Sequence, residues 1–140
     1  MVKAGGSSRP ISWIGSEDGI PYGPEDFRLK MAGRAIFNFM MARVPQSVAN
    51  CLAKNNLSLA DIDFFVFHQA SRFLLDSLRQ RMKLPEDKVP CNIKEVGNTV
   101  SSSIPLLLAK LQEEGVLRGK TVLISGFGVG LSWATNIIHF

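Results

Sequence analysis

The stretch Phe64-Phe65-Val66-Phe67-His68-Gln69-Ala70-Ser71 (FFVFHQAS) decides the fold of this 140-residue chain. Four large apolar residues run directly into a histidine, and a polar turn follows. A short aromatic run bounded by polar turns is typical of a buried strand. Helical and strand-like patterns alternate along the rest of the chain. This alternation predicts an α/β domain with a mixed sheet.

The same patterns predict where the elements lie. The predicted strands cover residues 63–68, 88–91, 121–127 and 131–138, and the last two form a hairpin. The predicted helices cover residues 24–44, 46–54, 71–82 and 101–114. We expect Pro45 to break or kink the first helix. One domain over residues 1–140 follows, with 1–23 as a strand and loop entry and 24–140 as the core.

Composition limits the class of protein. With 46% hydrophobic and 20% charged residues, the chain has enough apolar side chains for one folded core. The apolar run 105–109 falls far short of the roughly 18 residues that a membrane span needs, so we expect no membrane association. The N-terminus has no export signal, which favours a cytoplasmic protein. Two cysteines give neither a disulfide framework nor a zinc spacing, so we expect no metal.

Two polar residues are candidates for chemistry, and each has a structural alternative. His68 is either a hydrogen-bonded structural residue or a donor at the carboxyl end of a strand, where α/β proteins usually meet their ligands. Asn98 is either a turn residue that tolerates unusual backbone angles or an amide donor at a helix entrance. Cys51 and Cys91 are read as structural, because neither lies at a helix N-terminus that would favour the thiolate.

The glycine cluster at 126–130 (GFGVG) does not fit a dinucleotide-binding fingerprint. That fingerprint needs a glycine at its sixth position and a helix afterwards, but here Leu131 and a strand-like segment follow. Two interpretations stay open. The cluster is either a tight hairpin or a backbone amide held close to a ligand.

Basic residues follow the histidine turn. Arg72, Arg79, Arg81 and Lys83 face a single acid, Asp76, within residues 71–83, and the whole chain has a net charge of +4. The segment is either a solvated face or a surface for an acidic carrier protein or the phosphates of a coenzyme. The charges do not alternate with stacking aromatics, so nucleic acid is not an expected partner.

Three motifs together resemble the ketoacyl synthase III family of thiolase-fold condensing enzymes in order and spacing. They are His-Gln-Ala at 68–70, Gly-Asn-Thr at 97–99 with Ser-Ser-Ile-Pro at 102–105, and Gly-Phe-Gly-Val-Gly-Leu-Ser-Trp at 126–133. Upstream, Met31, Gly33 and Phe37 are similar to the family's Met-x-Gly and pocket phenylalanine. The resemblance covers the whole chain but only the C-terminal half of a family member. It implies one half of a thiolase-like fold, mostly parallel with a C-terminal antiparallel hairpin and with helices on both faces.

The resemblance implies a decarboxylative Claisen condensation of an acyl thioester with malonyl-acyl carrier protein. The family's nucleophilic cysteine lies in the N-terminal half, and neither Cys51 nor Cys91 occupies a matching place. We therefore expect the isolated chain to be inactive. No cofactor is implied, since coenzyme A and phosphopantetheine thioesters are substrates. The expected partners are acyl carrier protein or acyl-CoA, the missing N-terminal half, and further copies of the chain.

The resemblance also implies roles for individual residues. His68 and Asn98 hydrogen-bond the thioester oxygen of the malonyl carrier, and the backbone amide of Val129 binds the acyl oxyanion. Carrier docking falls to Arg72 and Arg79. The residues expected to line the pantetheine tunnel and acyl pocket are Met31, Gly33, Phe37, Ala70 and Ser71.

The chain departs from the family pattern at two positions near the histidine turn. Ser71 stands where asparagine is common, and Phe73 stands where the family uses a docking arginine. A rival hypothesis from a different class is a catalytically inactive domain that binds coenzyme A or a carrier protein, or that pairs with itself. An α/β half that normally packs against a sister half exposes an apolar face, and such faces drive association.

Overall fold

The structure is a computed structural model, and it describes residues 32–128 and 131–140. The chain divides into two compact units, Met1–Ile36 and Phe37–Phe140. In the first unit, residues 32–36 are described, and they contain the start of the first helix. The expected strand and loop entry at 1–23, the predicted helix start at 24, Met31 and Val129 lie outside the described residues.

The second unit contains a three-stranded mixed sheet. Its strands are β1 (Phe64–Phe67), β2 (Thr121–Gly128) and β3 (Ser132–His139), in the order β1-β2-β3. β1 and β2 are parallel, and β2 and β3 are antiparallel. The predicted α/β class and the C-terminal hairpin are therefore confirmed.

Four helices and three short 3₁₀ turns accompany the sheet in the described residues. The helices are α1 (Gly33–Lys54), α2 (Arg72–Met82), α3 (Ile93–Val96) and α4 (Ser103–Glu113), and the turns are Leu59–Asp61, Glu86–Lys88 and Val100–Ser102. Within residues 32–128 and 131–140, no helix combines the length and the apolar character that crossing a bilayer requires.

Two local predictions are wrong, namely the break at Pro45 that would separate two helices and the strand at 88–91. α1 runs unbroken through Pro45, because the buried side chains Met40, Val44 and Val48 lie on one face on either side of the proline and hold the helix against the core. The predicted strand at 88–91 does not form. Pro90 has no N–H to give to a strand ladder, and the segment follows a 3₁₀ turn as irregular backbone.

Side chains alternate between the two faces of the sheet, as the two-residue period of a strand requires. Phe65 and Phe67 of β1 are fully buried in a cluster with residues of α1 and α2. Val66 points the other way and packs with Leu107 and Leu111 of α4. Helices therefore cover both faces, which confirms the expected layering and places the N-terminal end of α4 beside the end of β1.

The core can be tested by truncating Phe65, which is 0% exposed. We expect Phe65→Ala to lower the free energy of unfolding by about 3–5 kcal/mol, because it removes buried contacts and leaves a cavity. Phe73→Ala is the matched control, since that ring is 70% exposed and stacks on Phe37. It should cost less than about 1.5 kcal/mol. Urea unfolding measures both, and equal losses would contradict the assigned core.

Candidate active site at the end of β1

The backbone of β1 holds His68 in place at the carboxyl end of the strand. The N–H of His68 donates to the carbonyl of Ser125 at 2.9 Å and so extends the parallel pairing by one residue. The next turn closes when the N–H of Ala70 donates to the carbonyl of His68 at 2.9 Å. The imidazole meets the ring of Phe127 edge to face, with 5.4 Å between the ring centroids. The ring is thus fixed and half-buried.

Ser103, the first residue of α4, contacts the imidazole directly. Its Oγ lies 2.7 Å from Nδ1 of His68, and it also accepts the backbone N–H of Gln69 at 3.3 Å. Ser103 is only 1% exposed. In the sequence this serine is part of the Ser-Ser-Ile-Pro motif, and no separate role is predicted for it.

Gln69 is the second buried polar residue for which the sequence predicts no role of its own. It is fully buried, its Nε2–H donates to the carbonyl of Phe67 at 2.8 Å, and its Oε1 accepts the N–H of Asn92 at 3.3 Å. Gln69 follows Phe65 and Phe67 in a two-residue period. A polar side chain at the next core-facing position is the signal that could have found it.

Asn98 lies beside the same turn. Its Nδ2–H donates to the carbonyl of Ala70 at 3.2 Å, and its Oδ1 accepts the N–H of Val100 at 2.9 Å. Gly97 has a φ of +68° and a ψ of −161°, a conformation that favours glycine, so the motif needs glycine before the asparagine. Ala70 therefore connects the two residues, because its N–H bonds to the carbonyl of His68 and its carbonyl accepts from Asn98.

The backbone is strained next to this asparagine. Val100 has a φ of +53°, which a β-branched residue rarely adopts. The strain is compensated by the hydrogen bond of its N–H to Asn98 and by the bond of the Ser103 N–H to its carbonyl. Strained residues of this kind often hold functional groups in a set arrangement.

Burial controls the ionisation of the imidazole. Removal from water lowers the pKa of His68 below its ordinary value of 6.5, while a hydrogen bond with the backbone of Val100 acts in the opposite direction. His68 is therefore a neutral donor and acceptor at neutral pH. In the described part of the chain, no group of three or more His, Cys, Asp and Glu side chains could hold a metal ion.

The residues expected to line the tunnel have varied surroundings. Ser71 caps α2, because its Oγ accepts the N–H of Leu74 at 3.2 Å. Phe37 stacks on the exposed ring of Phe73, with 5.7 Å between centroids and 23° between ring planes. Gly33 begins α1 and belongs to the first unit. These placements leave the tunnel itself as a prediction.

The two arginines expected to dock a carrier share one acid. Arg72 forms ion pairs with Asp76 at 3.0 Å and with Glu86 at 3.4 Å, and Arg79 reaches Glu86 at 3.7 Å. Nε of Arg79 is buried without a hydrogen-bond partner. Both positive charges are thus partly neutralised within the chain.

The two cysteines have different surroundings, and Cys91 lies beside the guanidinium of Arg72. Cys51 is half-buried in α1, where its carbonyl accepts Nδ2–H of Asn55 at 2.8 Å. Cys91 is half-buried in the irregular segment that precedes α3. Neither begins a helix, the position at which a helix dipole favours a nucleophilic thiolate.

Comparison with known proteins gives a consistent answer. The chain is 42% identical over 111 residues to the beta-ketoacyl-[acyl-carrier-protein] synthase III of Lactobacillus delbrueckii subsp. bulgaricus, which covers 79% of this chain and 35% of the relative. It is 38% identical over 136 residues to the enzyme of the same name from Streptococcus sanguinis, covering 95% of this chain and 40% of the relative. The chain therefore spans well under half the length of these curated relatives.

Solved structures agree with the sequence relatives. A crystal structure of a 3-oxoacyl-(acyl-carrier-protein) synthase III superposes with a TM-score of 0.86 at 38% identity, covering 100% of this chain and 43% of that one. The synthase III of Thermus thermophilus gives a TM-score of 0.79 at 35% identity, covering 87% of this chain and 40% of that one. The family model for the C-terminal part of 3-oxoacyl-[acyl-carrier-protein (ACP)] synthase III matches residues 52–140. The chain therefore belongs to the 3-oxoacyl-[acyl-carrier-protein] synthase III family and corresponds to its C-terminal part.

Proposed function

We propose that this chain is the C-terminal part of an enzyme that condenses an acyl thioester with malonyl-acyl carrier protein, with loss of carbon dioxide. The observation that carries the proposal is the pairing of His68 and Asn98 at the carboxyl end of β1, joined through the turn at Ala70. The curated relatives are named as synthases of the corresponding reaction type.

The chemistry needs two donors at one oxygen. When carbon dioxide leaves the malonyl thioester, the electron pair of the broken C–C bond moves onto the thioester oxygen as an enolate. Preset N–H donors stabilise this enolate more than the neutral thioester. The imidazole N–H of His68 supplies one donor. Nδ2 of Asn98 carries two hydrogens, one of which is used by Ala70, and the second supplies the other donor.

The enolate carbon then attacks the carbonyl of an acyl group held as a thioester on a cysteine, and collapse of the resulting tetrahedral oxyanion breaks the C–S bond and releases the cysteine thiolate. We infer that this cysteine comes from the part of the protein that the chain does not span, because the resemblance implies a nucleophile in the N-terminal half and neither Cys51 nor Cys91 begins a helix. The isolated chain then accepts no acyl group. Within the same proposal, the amide of Val129 binds the oxyanion of the attacked carbonyl. In the same proposal, the residues that line the pantetheine tunnel and acyl pocket are Met31, Gly33, Phe37, Ala70 and Ser71.

A second candidate is a domain that binds a partner without catalysis. Exposed apolar side chains favour it: Val100 is 71% exposed, Val96 is 43% exposed and Leu106 is 42% exposed. These residues lie on α3, on α4 and on the turn between them. Such a surface suits packing against another domain or another copy of the chain. Activity measurements on a completed protein separate the two candidates.

Decarboxylation tests the catalytic role of His68 and Asn98. The chain is joined to the N-terminal portion of the Streptococcus sanguinis relative, and release of carbon dioxide from malonyl-acyl carrier protein is measured. We expect activity in the joined protein, and His68→Ala or Asn98→Ala should each lower kcat by roughly 10²–10³-fold, because each removes one donor to the enolate. A joined protein that folds but remains inactive would favour the binding-domain candidate.

Matched substitutions distinguish the donors from other side chains of the same type. His139→Ala and Asn55→Ala change an exposed imidazole and an exposed carboxamide far from the turn at Ala70 in the chain. Both variants should keep the activity of the unaltered joined protein. If His68→Ala kept it too, His68 would have no part in decarboxylation.

The neutral state of His68 predicts a pH dependence of stability. Because its pKa is lowered in the folded chain, the folded state binds fewer protons than the unfolded state when the pH is below about 6.5. The free energy of unfolding should therefore fall as the pH drops from 6.5 through the folded pKa and should level off below it. Urea unfolding of the chain and of His68→Gln measures this dependence. Identical pH dependence in both would show that the pKa of His68 is not lowered.

Carrier docking can be tested at Glu86, which competes for both arginines. We expect Glu86→Gln to lower KM for malonyl-acyl carrier protein by roughly two- to five-fold, since it releases Arg72 and Arg79 from ion pairs with an exposed carboxylate. KM for malonyl-CoA should change less. Asp87→Asn removes a neighbouring exposed acid and is the control. Equal effects of the two substitutions would mean that only net charge matters.

A further inference from the structure

We propose, building on the function above, that Ser103 is a positioning residue that holds neutral His68 in the tautomer with its proton on Nε2. The serine does not touch substrate in this role. It acts on the imidazole, and through the imidazole it decides whether the outer ring nitrogen offers a proton or a lone pair.

The hydrogen bonds around Ser103 give its hydroxyl proton a defined direction. Oγ accepts the backbone N–H of Gln69 at 3.3 Å and lies 2.7 Å from Nδ1 of His68. At 1% exposure, the hydroxyl group has essentially no access to water. A buried hydroxyl proton needs an acceptor. Among the side-chain bonds of the described residues, Nδ1 is the acceptor within reach, so Ser103 donates to Nδ1.

The tautomer follows from this direction. A neutral imidazole carries one proton, so a ring whose Nδ1 accepts a hydrogen bond keeps that proton on Nε2. Nε2–H is then the ring donor both for the contact with the backbone of Val100 and for the thioester oxygen of a bound substrate. The opposite tautomer would present a lone pair there, which repels the developing enolate instead of stabilising it.

Two backbone hydrogen bonds hold Ser103 in place, so its contact with the imidazole is not an incidental one. The bond from Gln69 is fixed because the Gln69 side chain is itself locked between the carbonyl of Phe67 and the N–H of Asn92. On the other side, the N–H of Ser103 donates to the carbonyl of Val100 in the first turn of the helix. The oxygen of the Ser103 hydroxyl is therefore held in one position, and its proton points to Nδ1 of His68.

The tautomer can be read directly by long-range ¹H–¹⁵N correlation spectra of the ¹⁵N-labelled chain. The chain has two histidines, so His139→Gln identifies the signals of His68. We expect the protonated type of ¹⁵N shift at Nε2 and the unprotonated type at Nδ1. In Ser103→Ala this preference should be lost, and the two nitrogen shifts should move toward each other.

Two variants control this measurement. Ser103→Thr keeps a hydroxyl at the same place and should keep the wild-type tautomer. Ser102→Ala removes an exposed neighbouring hydroxyl that makes no capping bond, and it should also leave the shifts unchanged. In the joined enzyme, Ser103→Ala should lower kcat with little change in KM, and Ser103→Thr should restore it.

The proposal is overturned if wild-type His68 carries its proton on Nδ1, a result that does not depend on whether Ser103→Ala folds. It is also overturned if folded Ser103→Ala keeps the wild-type shifts. The Nε2–H tautomer in a joined protein that releases no carbon dioxide would refute the proposed function while leaving the role of Ser103 intact. Full activity with the Nδ1–H tautomer would refute the role of Ser103 alone.

Discussion

The parallel pairing of β1 with β2 is the constraint on which the candidate site depends. Two parallel neighbours need a long crossover, and here the crossover contains α2, α3 and α4. The bond from the N–H of His68 to the carbonyl of Ser125 ends the pairing at the histidine. α4 returns across one face of the sheet with Leu107 against Val66, and this packing brings Ser103 to the imidazole.

The elements that the sequence predicted well are those whose local pattern and tertiary packing agree. β1, α2 and the hairpin were predicted to within a residue or two, because aromatic runs and turn residues mark them. Pro45 is the counterexample. Its local preference argues for a break, but buried neighbours on both sides keep α1 continuous. At residues 88–91, apolar content suggested a strand, and the missing N–H of Pro90 prevented one.

The candidate site was predictable only in part. His68 stood out because it ends an apolar run, and Asn98 stood out because it follows a glycine at the entrance of a predicted helix. Ser103 did not, because three consecutive serines at a helix start all resemble caps, and only the packing of α4 shows which one faces the imidazole. The ion pairs of Glu86 with the two arginines could not be predicted from the sequence either. Glu86 lies 14 residues from Arg72, and only the fold brings the two charges together.

The polar network explains why the site tolerates strain and burial. Gln69 and Ser103 are buried polar groups whose described hydrogen bonds join the end of β1 and the turn after it to Asn92 and to the start of α4. Such groups are costly unless they are paired, and pairing also fixes their orientation. Val100 accepts an unfavourable φ in the same region, with its N–H bonded to Asn98. A donor pair whose members are set before substrate arrives needs little rearrangement in the transition state, which is where electrostatic stabilisation is most effective.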